Sequence, residues 1–283
     1  MSAGKFLHEL VGSMSVGAAG NPTVAMVEAA FAHHHLHWRY VNMEVPPEDL
    51  GAAVRGAKAM GFRGFNCSLP HKVTVIPHLD GLGASAAVMG AVNCVVRRGD
   101  QLIGENTDGK GFLKSLETTI DPQGKSVVLF GAGGAARAIA VELALAGAKR
   151  LTVVNRSESR GAELVALLRK QLPLQAELVV GRGDYAVAAG TDIVINGTSI
   201  GLYAPEARLP LDLASLQPGM VVADVVFNPV RTRFLVEAAA RGCATLDGLG
   251  MLVNQGIVGV QFWTGITPDA AVMRRALESA MGV

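Results

Sequence analysis

The sequence predicts an α/β chain of two domains, one of them a doubly wound parallel sheet. Three observations predict this. The chain is 283 residues long, and at about 100 to 200 residues per domain that length suits two compact cores better than one. Half of its residues are apolar, so disorder is excluded. Short runs rich in β-branched residues also alternate with segments rich in Ala, Leu and Glu, the rhythm of βαβ units.

Along the chain, residues 1–20 have a mildly apolar centre interrupted by Glu9 and read as mature protein rather than as a signal peptide. A helix is expected over 24–36, a strand near 38–43, a helix after Pro46 and Pro47, and a strand at 62–67. Residues 92–97 and 102–104 flank Gly99 and Asp100, a hairpin turn signal. Thr107, Asp108 and Gly109 then precede a helix that would link the domains. Strand 125–130, helix 134–147, strand 150–154 and helix 158–171 follow. Further apolar runs at 178–180, 191–195 and 220–225 suit a parallel sheet covered on both faces. Two helical stretches, 252–263 and 268–281, end the chain. Residues from about 110 to 249 thus read as one doubly wound domain.

Composition narrows the partners. With 25 basic and 24 acidic side chains and no basic run, nothing resembles a nucleic-acid surface. Charges interrupt the apolar stretches before the roughly 20 residues a bilayer span needs. The three cysteines, Cys67, Cys94 and Cys243, have neither disulfide nor zinc spacing, which points to a reducing cytoplasm. The histidines at 33, 34, 35 and 37 have no Cys or carboxylate at ligand spacing, so they read as a solvated helix end and no metal is expected. A small molecule is the expected partner.

The strand ending at Phe130 runs into Gly131, Ala132, Gly133, Gly134, Ala135 and Ala136, and an Ala-rich helix follows. This is Gly-x-Gly-x-x-Ala between strand and helix, the dinucleotide-binding turn of a Rossmann-type domain. Gly131 permits the tight turn, Gly133 lets backbone approach a pyrophosphate, Ala136 allows close helix packing, and the helix N-terminus attracts phosphate. About twenty residues on, where an acid would bind the ribose hydroxyls of NAD, stand Asn155, Arg156 and Ser157, with Arg160 nearby. Guanidiniums suit a 2′-phosphate, so NADP is the expected cofactor.

Polar segments supply the chemistry. Asn66 to Lys72 leave a strand and enter a helix, and Gly90 to Asn93 and Asn106 to Gly109 place amides and a carboxylate at other element ends. Farther on come 196–201 (Asn-Gly-Thr-Ser-Ile-Gly), 224–229 (Asp-Val-Val-Phe-Asn-Pro), Gly250 to Gly256 and Trp263 to Gly265. In this order the motifs resemble those of the shikimate dehydrogenase family over nearly the whole length. The resemblance implies reversible hydride transfer between NADP(H) and the ring carbon of shikimate or a closely related cyclic hydroxy acid. Lys72 would exchange the proton at the reacting oxygen, and Asp108 would hydrogen-bond that centre and orient Lys72. Asn93 and Gln255 would hold substrate hydroxyls, with Ser68 assisting on the acid side. Thr198, Ser199 and Met251 would lie near the nicotinamide half of the cofactor, and Val226 and Gly248 would also bind the cofactor. By the same resemblance 1–109 is the substrate-binding domain, 110–249 the NADP domain, and 250–283 returns to the first, leaving the cleft between two lobes in a monomer or homodimer.

This chain departs from the family pattern near its start. The family shows Gly-x-Pro-Ile-x-His-Ser-x-Ser-Pro there, and an ungapped count back from Phe31 puts Asn21 and Thr23 at the two serine positions. Phe227 also replaces the usual tyrosine. A quinate- or aminoshikimate-type dehydrogenase, or a non-catalytic NADP(H)-binding regulator, are the alternatives this leaves.

Overall fold

The structure, a computed structural model, describes residues 6–283. It forms two compact α/β units, one comprising residues up to Thr107 together with Gly256–Gly282, the other Asp108–Gln255.

The first unit is built on β1 (Glu9–Ser15), α1 (Thr23–His33), β2 (Trp38–Glu44), α2 (Leu50–Ala59), β3 (Gly64–Cys67), α3 (His71–Thr74), β4 (Gly81–Leu82), α4 (Ala84–Met89), β5 (Cys94–Arg98) and β6 (Gln101–Glu105). Its sheet has the order β2-β1-β3-β5-β6-β4. β1 is parallel to β2 and β3, while β5 is antiparallel to β3 and β6. Gly99 and Asp100 are the two-residue turn between β5 and β6, as the hairpin signal predicts. Strand alternation sends Met14, Phe65 and Cys67 with their opposite-face neighbours along β1 and β3 to different sides of the sheet. Met14 and Cys67 pack with Val45, Leu50, Val54, Val75 and Ala86 in one core.

β1 corrects the reading of residues 1–20, for which no strand is expected from the sequence. Its alternation is broken because Ser13 and Ser15 are buried as deeply as Val11 and Met14, and the Ser13 hydroxyl is satisfied by Asn42 and Asn21.

The second unit contains α5 (Asp108–Leu116), β7 (Ser126–Phe130), α6 (Gly134–Leu145), β8 (Arg150–Asn155), α7 (Glu158–Gln171), β9 (Gln175–Val180), β10 (Ile193–Asn196), β11 (Val221–Asp224), α8 (Arg233–Ala239) and β12 (Ala244–Leu246). Its sheet is parallel throughout, in the order β12-β11-β10-β7-β8-β9. Every residue of β10 and β11 is buried, the state of strands covered on both faces. Gly109 lets α5 approach α6, since a side chain there would strike the Ala138 carbonyl, and Lys110 pairs with buried Glu142 of α6 at 3.0 Å.

Helix α9 (Gly248–Thr264) starts in the second unit and ends in the first, and α10 (Ala270–Met281) packs on α1 within the first. In that unit the Trp263 indole N–H donates to the Val95 carbonyl at 3.0 Å, and Gly256 leaves room for Met26 and Met273. Among the described residues no helix is long and apolar enough to cross a membrane.

Candidate active site and cofactor site

In the second unit, β7 delivers the chain to Gly131, whose φ of +108° favours glycine. Gly133 is the extended residue before α6 and Gly134 is its first residue, both exposed, with open space where a side chain would stand. No side chain caps α6. Its first amide groups stand beside a glycine turn without a side-chain acceptor, a site suited to an anion. Ala132 and Ala135 are half-buried beside the turn, and Ala136 is buried.

At the end of β8, Asn155 donates to the Ser157 carbonyl at 2.7 Å and shapes the turn into α7. Arg156 and Arg160 are exposed there, and the Ser157 hydroxyl lies 3.2 Å from that of Ser159. No carboxylate stands at 155–157. The donor set fits a 2′-phosphate, which planar guanidiniums bind through charge-assisted hydrogen bonds.

Beyond β10 and β11 lie the loops expected at the nicotinamide end. Thr198 and its neighbour Ser199 follow β10, and Thr198 touches the glycine turn: a Cβ on Gly131 would stand 3.0 Å from the Thr198 methyl. Val226 is buried after β11. Gly248, the first residue of α9, lies against the Val226 carbonyl, where no side chain fits. Met251 is half-buried one turn on. Phe227 stacks edge-on with Tyr203, ring centres 6.4 Å apart.

Lys72 is the second residue of α3 and half-buried. Its helix is a single turn held by neighbours on several sides. The Lys72 carbonyl accepts the Val92 N–H at 2.7 Å, and the buried His71 ring places Nε2 2.8 Å from the Val45 carbonyl. Ser68, exposed, donates its N–H to Met14. Burial pushes the Cys67 thiol up to about 12, so it stays protonated at neutral pH and is no nucleophile. Asp108 opens α5 in the other unit, where the helix dipole favours a carboxylate.

The substrate-side residues of the first unit form a continuous polar network. The register sets Asn42, Ser13 and Asn66 side by side on β2, β1 and β3, on the face opposite Met14 and Cys67. Ser13 donates to Asn42 at 2.8 Å and accepts from the Asn21 side chain at 3.1 Å. The other end of the Asn21 side chain accepts the Thr23 N–H at 3.0 Å, at the start of α1. Tyr40 donates to Asn66 at 2.8 Å, and burial holds its phenol far above the usual range. Asn66 in turn donates to the carbonyl of Asn93 at 3.1 Å. The Asn93 side chain donates to the Thr107 hydroxyl at 3.0 Å and accepts the Thr107 N–H at 2.6 Å.

The first unit therefore brings Asn21, Thr23 and Asn93 into one network, and Lys72 and Ser68 follow its strand β3. Asp108 and Gln255 belong to the second unit, where a Cβ on Gly111 would meet the Gln255 backbone. Sequence reasoning missed Ser13, Tyr40 and Asn42. The available signal was a polar residue at one register position of each strand. In the histidine segment, His34 accepts the Asp269 N–H at 3.3 Å and His37 stacks on His8. Among the described residues no group of three or more His, Cys, Asp or Glu could hold a metal.

Comparison with known proteins agrees with this layout. Residues 21–95 match the shikimate dehydrogenase substrate binding domain, 114–203 match shikimate / quinate 5-dehydrogenase, and 248–278 match the shikimate 5'-dehydrogenase C-terminal domain. The shikimate dehydrogenase (NADP(+)) of Moorella thermoacetica is 45% identical over 262 residues, 91% of this chain and 88% of that protein. Among solved structures, the ligand-free 5-ketofructose reductase of Gluconobacter sp. strain CHM43 is 55% identical with a TM-score of 0.95, covering 97% of this chain and 99% of that one. The Thermus thermophilus shikimate 5-dehydrogenase, in complex with NADP(H) and shikimate, is 32% identical with a TM-score of 0.83, covering 96% and 99%. With full-length relatives of this identity and family motifs along both units, the chain belongs to the shikimate dehydrogenase family.

Proposed function

We propose that the protein catalyses reversible hydride transfer between NADP(H) and the carbonyl of a polyhydroxylated ketone. One observation carries this: a glycine turn opens α6, and two exposed arginines without an acid at 155–157 stand at the end of the adjacent strand β8. The amides at the start of α6 suit the pyrophosphate, and Arg156 and Arg160 suit the 2′-phosphate. When bound, NADPH supplies the hydride.

The chain's own residues do the rest. In this reading Lys72 exchanges the proton at the reacting oxygen. Asp108 hydrogen-bonds that centre and orients the lysine. Asn93 and Gln255 hold hydroxyls of the substrate, with Ser68 assisting. The unit of residues up to Thr107 with Gly256–Gly282 serves as the substrate domain, and Asp108–Gln255 as the cofactor domain. The three buried cysteines, none in a disulfide, support a reducing, cytoplasmic setting, and the protein works as a monomer or homodimer.

The shikimate dehydrogenases at 40–45% identity support shikimate and its 3-dehydro ketone as the substrate pair. A second reading, an uncharged polyhydroxy ketone like the one for which the 5-ketofructose reductase is named, is favoured by Asn21. Its amide already donates to Ser13 and accepts the Thr23 N–H, and Phe227 has no hydroxyl to offer. A buried carboxylate left with poor partners costs about 1–3 kcal/mol or more, whereas neutral hydroxyls can both donate to and accept from such a network. Loss of NADPH absorbance should be followed with 3-dehydroshikimate and with 5-ketofructose. Oxidation with either establishes the reaction and ranks the two substrates, and oxidation with neither overturns the proposal.

A further inference from the structure

Asp224 ends β11 and is 1% exposed. Its carboxylate receives three donors. Oδ1 accepts the Asn196 side-chain amide at 3.0 Å and the Val226 N–H at 2.9 Å, and Oδ2 accepts the Thr232 hydroxyl at 2.7 Å. The reach continues through Asn196, whose Oδ1 accepts both the N–H and the hydroxyl of Thr198, at 3.0 and 2.7 Å. The Asn196 amide also donates to the Ile200 carbonyl at 3.1 Å, closing the turn on itself. Thr232 caps α8 by accepting the Leu235 N–H at 3.3 Å. One carboxylate thus ties together the segments that follow β10 and β11. The first of these touches the glycine turn, since a Cβ on Gly131 would stand 3.0 Å from both the Gly197 carbonyl and the Thr198 methyl.

This arrangement is expensive for stability. All three donors are neutral, and burial pushes the carboxyl up to about 6. Apolar packing could join two strand ends at lower cost, because a buried charge without a counter-charge is unfavourable. What a carboxylate offers in return is acceptor capacity: two oxygens that hold three donors in fixed directions.

We propose that Asp224 is a positioning residue for hydride transfer, its carboxylate setting Thr198 and Val226 at the nicotinamide half of NADP(H). The proposal rests on the cofactor reading above. The test compares two ligands, NADPH and 2′-phospho-ADP-ribose, which shares the 2′-phosphate and pyrophosphate but has no nicotinamide. Their dissociation constants are measured by calorimetry at pH 8 for the wild type, Asp224→Ala and Asp224→Asn. The alanine variant should bind NADPH about tenfold more weakly and the fragment unchanged, a loss matching one charge-assisted hydrogen bond. The asparagine variant keeps an oxygen for Asn196 and Val226 but as a weaker acceptor, so its loss should be about threefold.

Equal weakening of both ligands would make Asp224 a fold anchor and overturn the proposal, as would unchanged NADPH binding. Should Asp224→Ala not fold, Asp224→Asn decides. Its selective loss at pH 8 should vanish at pH 5, where the wild-type carboxyl is itself protonated. Absence of any selective loss at pH 8 overturns the proposal. Wild-type protein that binds neither ligand overturns the cofactor reading, and the proposal with it.

Discussion

Gly111 and Gln255 meet backbone to backbone: a Cβ on Gly111 would stand 2.5 Å from the Gln255 nitrogen and 2.8 Å from the Met251 carbonyl. Helix α5, which Asp108 heads, therefore seats α9 at the turn that carries two of the proposed ligand-facing residues. Gly109 makes the same kind of contact with α6, where a Cβ would meet the Ala138 carbonyl, so a glycine of α5 meets backbone of each helix.

Gly111→Ala should consequently be destabilising although alanine is the better helix former. Forcing a methyl group into such a contact costs about 1–3 kcal/mol, which should lower the melting temperature and raise the KM for substrate through Gln255. A melting curve identical to wild type would show that the two helices separate easily.

Arg156→Ala should weaken NADP(H) by about ten- to a hundredfold, the range of a charge-assisted hydrogen bond of about 1.5–3 kcal/mol. NAD(H), lacking the 2′-phosphate, should change little. Titration of both dinucleotides checks this, and equal losses would reject the 2′-phosphate assignment.

Lys72→Met and Asp108→Asn should each reduce turnover by about a hundred- to ten-thousandfold, the span of general acid–base catalysis. Calorimetric binding of NADPH should stay near wild type in both. Full turnover in either variant would remove that residue from the reaction.

The pair Asn21→Ser and Thr23→Ser, made together, should raise kcat/KM for shikimate by up to about tenfold, equivalent to 1.4 kcal/mol. It should lower that for 5-ketofructose, because Ser13 loses the Asn21 amide. A variant that is properly folded but no better on shikimate would show that these positions do not hold an acid.

Protonation of Asp224 should be visible in stability. Its folded pKa lies above the usual 3.8, at about 6, chiefly through burial, so the folded state holds this proton more tightly than the unfolded chain does. Its contribution is fully favourable below about pH 3.8 and is lost as pH rises through about 6. Asp224→Asn lacks that loss. Relative to wild type it should therefore gain up to about 3 kcal/mol between pH 4 and pH 8, read from denaturant unfolding at each pH. A constant difference across this range would show that Asp224 does not titrate there.

Much of the second unit was legible because its strands are buried on both faces. The apolar runs at β7, β8, β10 and β11 need no partner to be recognised, and the glycine turn sits where strand meets helix. The two-residue turn at Gly99 and Asp100 was equally local. The first unit was harder to read. β1 carries Ser13 and Ser15 into the interior, which makes sense only once Asn21 and Asn42 are seen to meet the Ser13 hydroxyl. The start of α9 was hidden for a similar reason. Gly248 and Gly250 suggest a turn, yet both lie in the helix because Val226 and Ser115 leave no room for side chains there. The role of Asp224 likewise depends on β10 lying beside β11, a register no single segment displays.

The passage of α9 from one unit into the other bears on how the chain is made. The N-terminal unit contains Gly256–Gly282, so during synthesis its first strands emerge long before the helices that cover them. Until residues 256–282 have been made, Val95 lacks the Trp263 N–H, and Met26 of α1 lacks the helices that pack on it. The Asp108–Gln255 unit, continuous in sequence, is free to fold first. A fragment cut after Thr107 should accordingly expose apolar surface and aggregate, and it should be recovered by supplying residues 256–283 as a separate peptide.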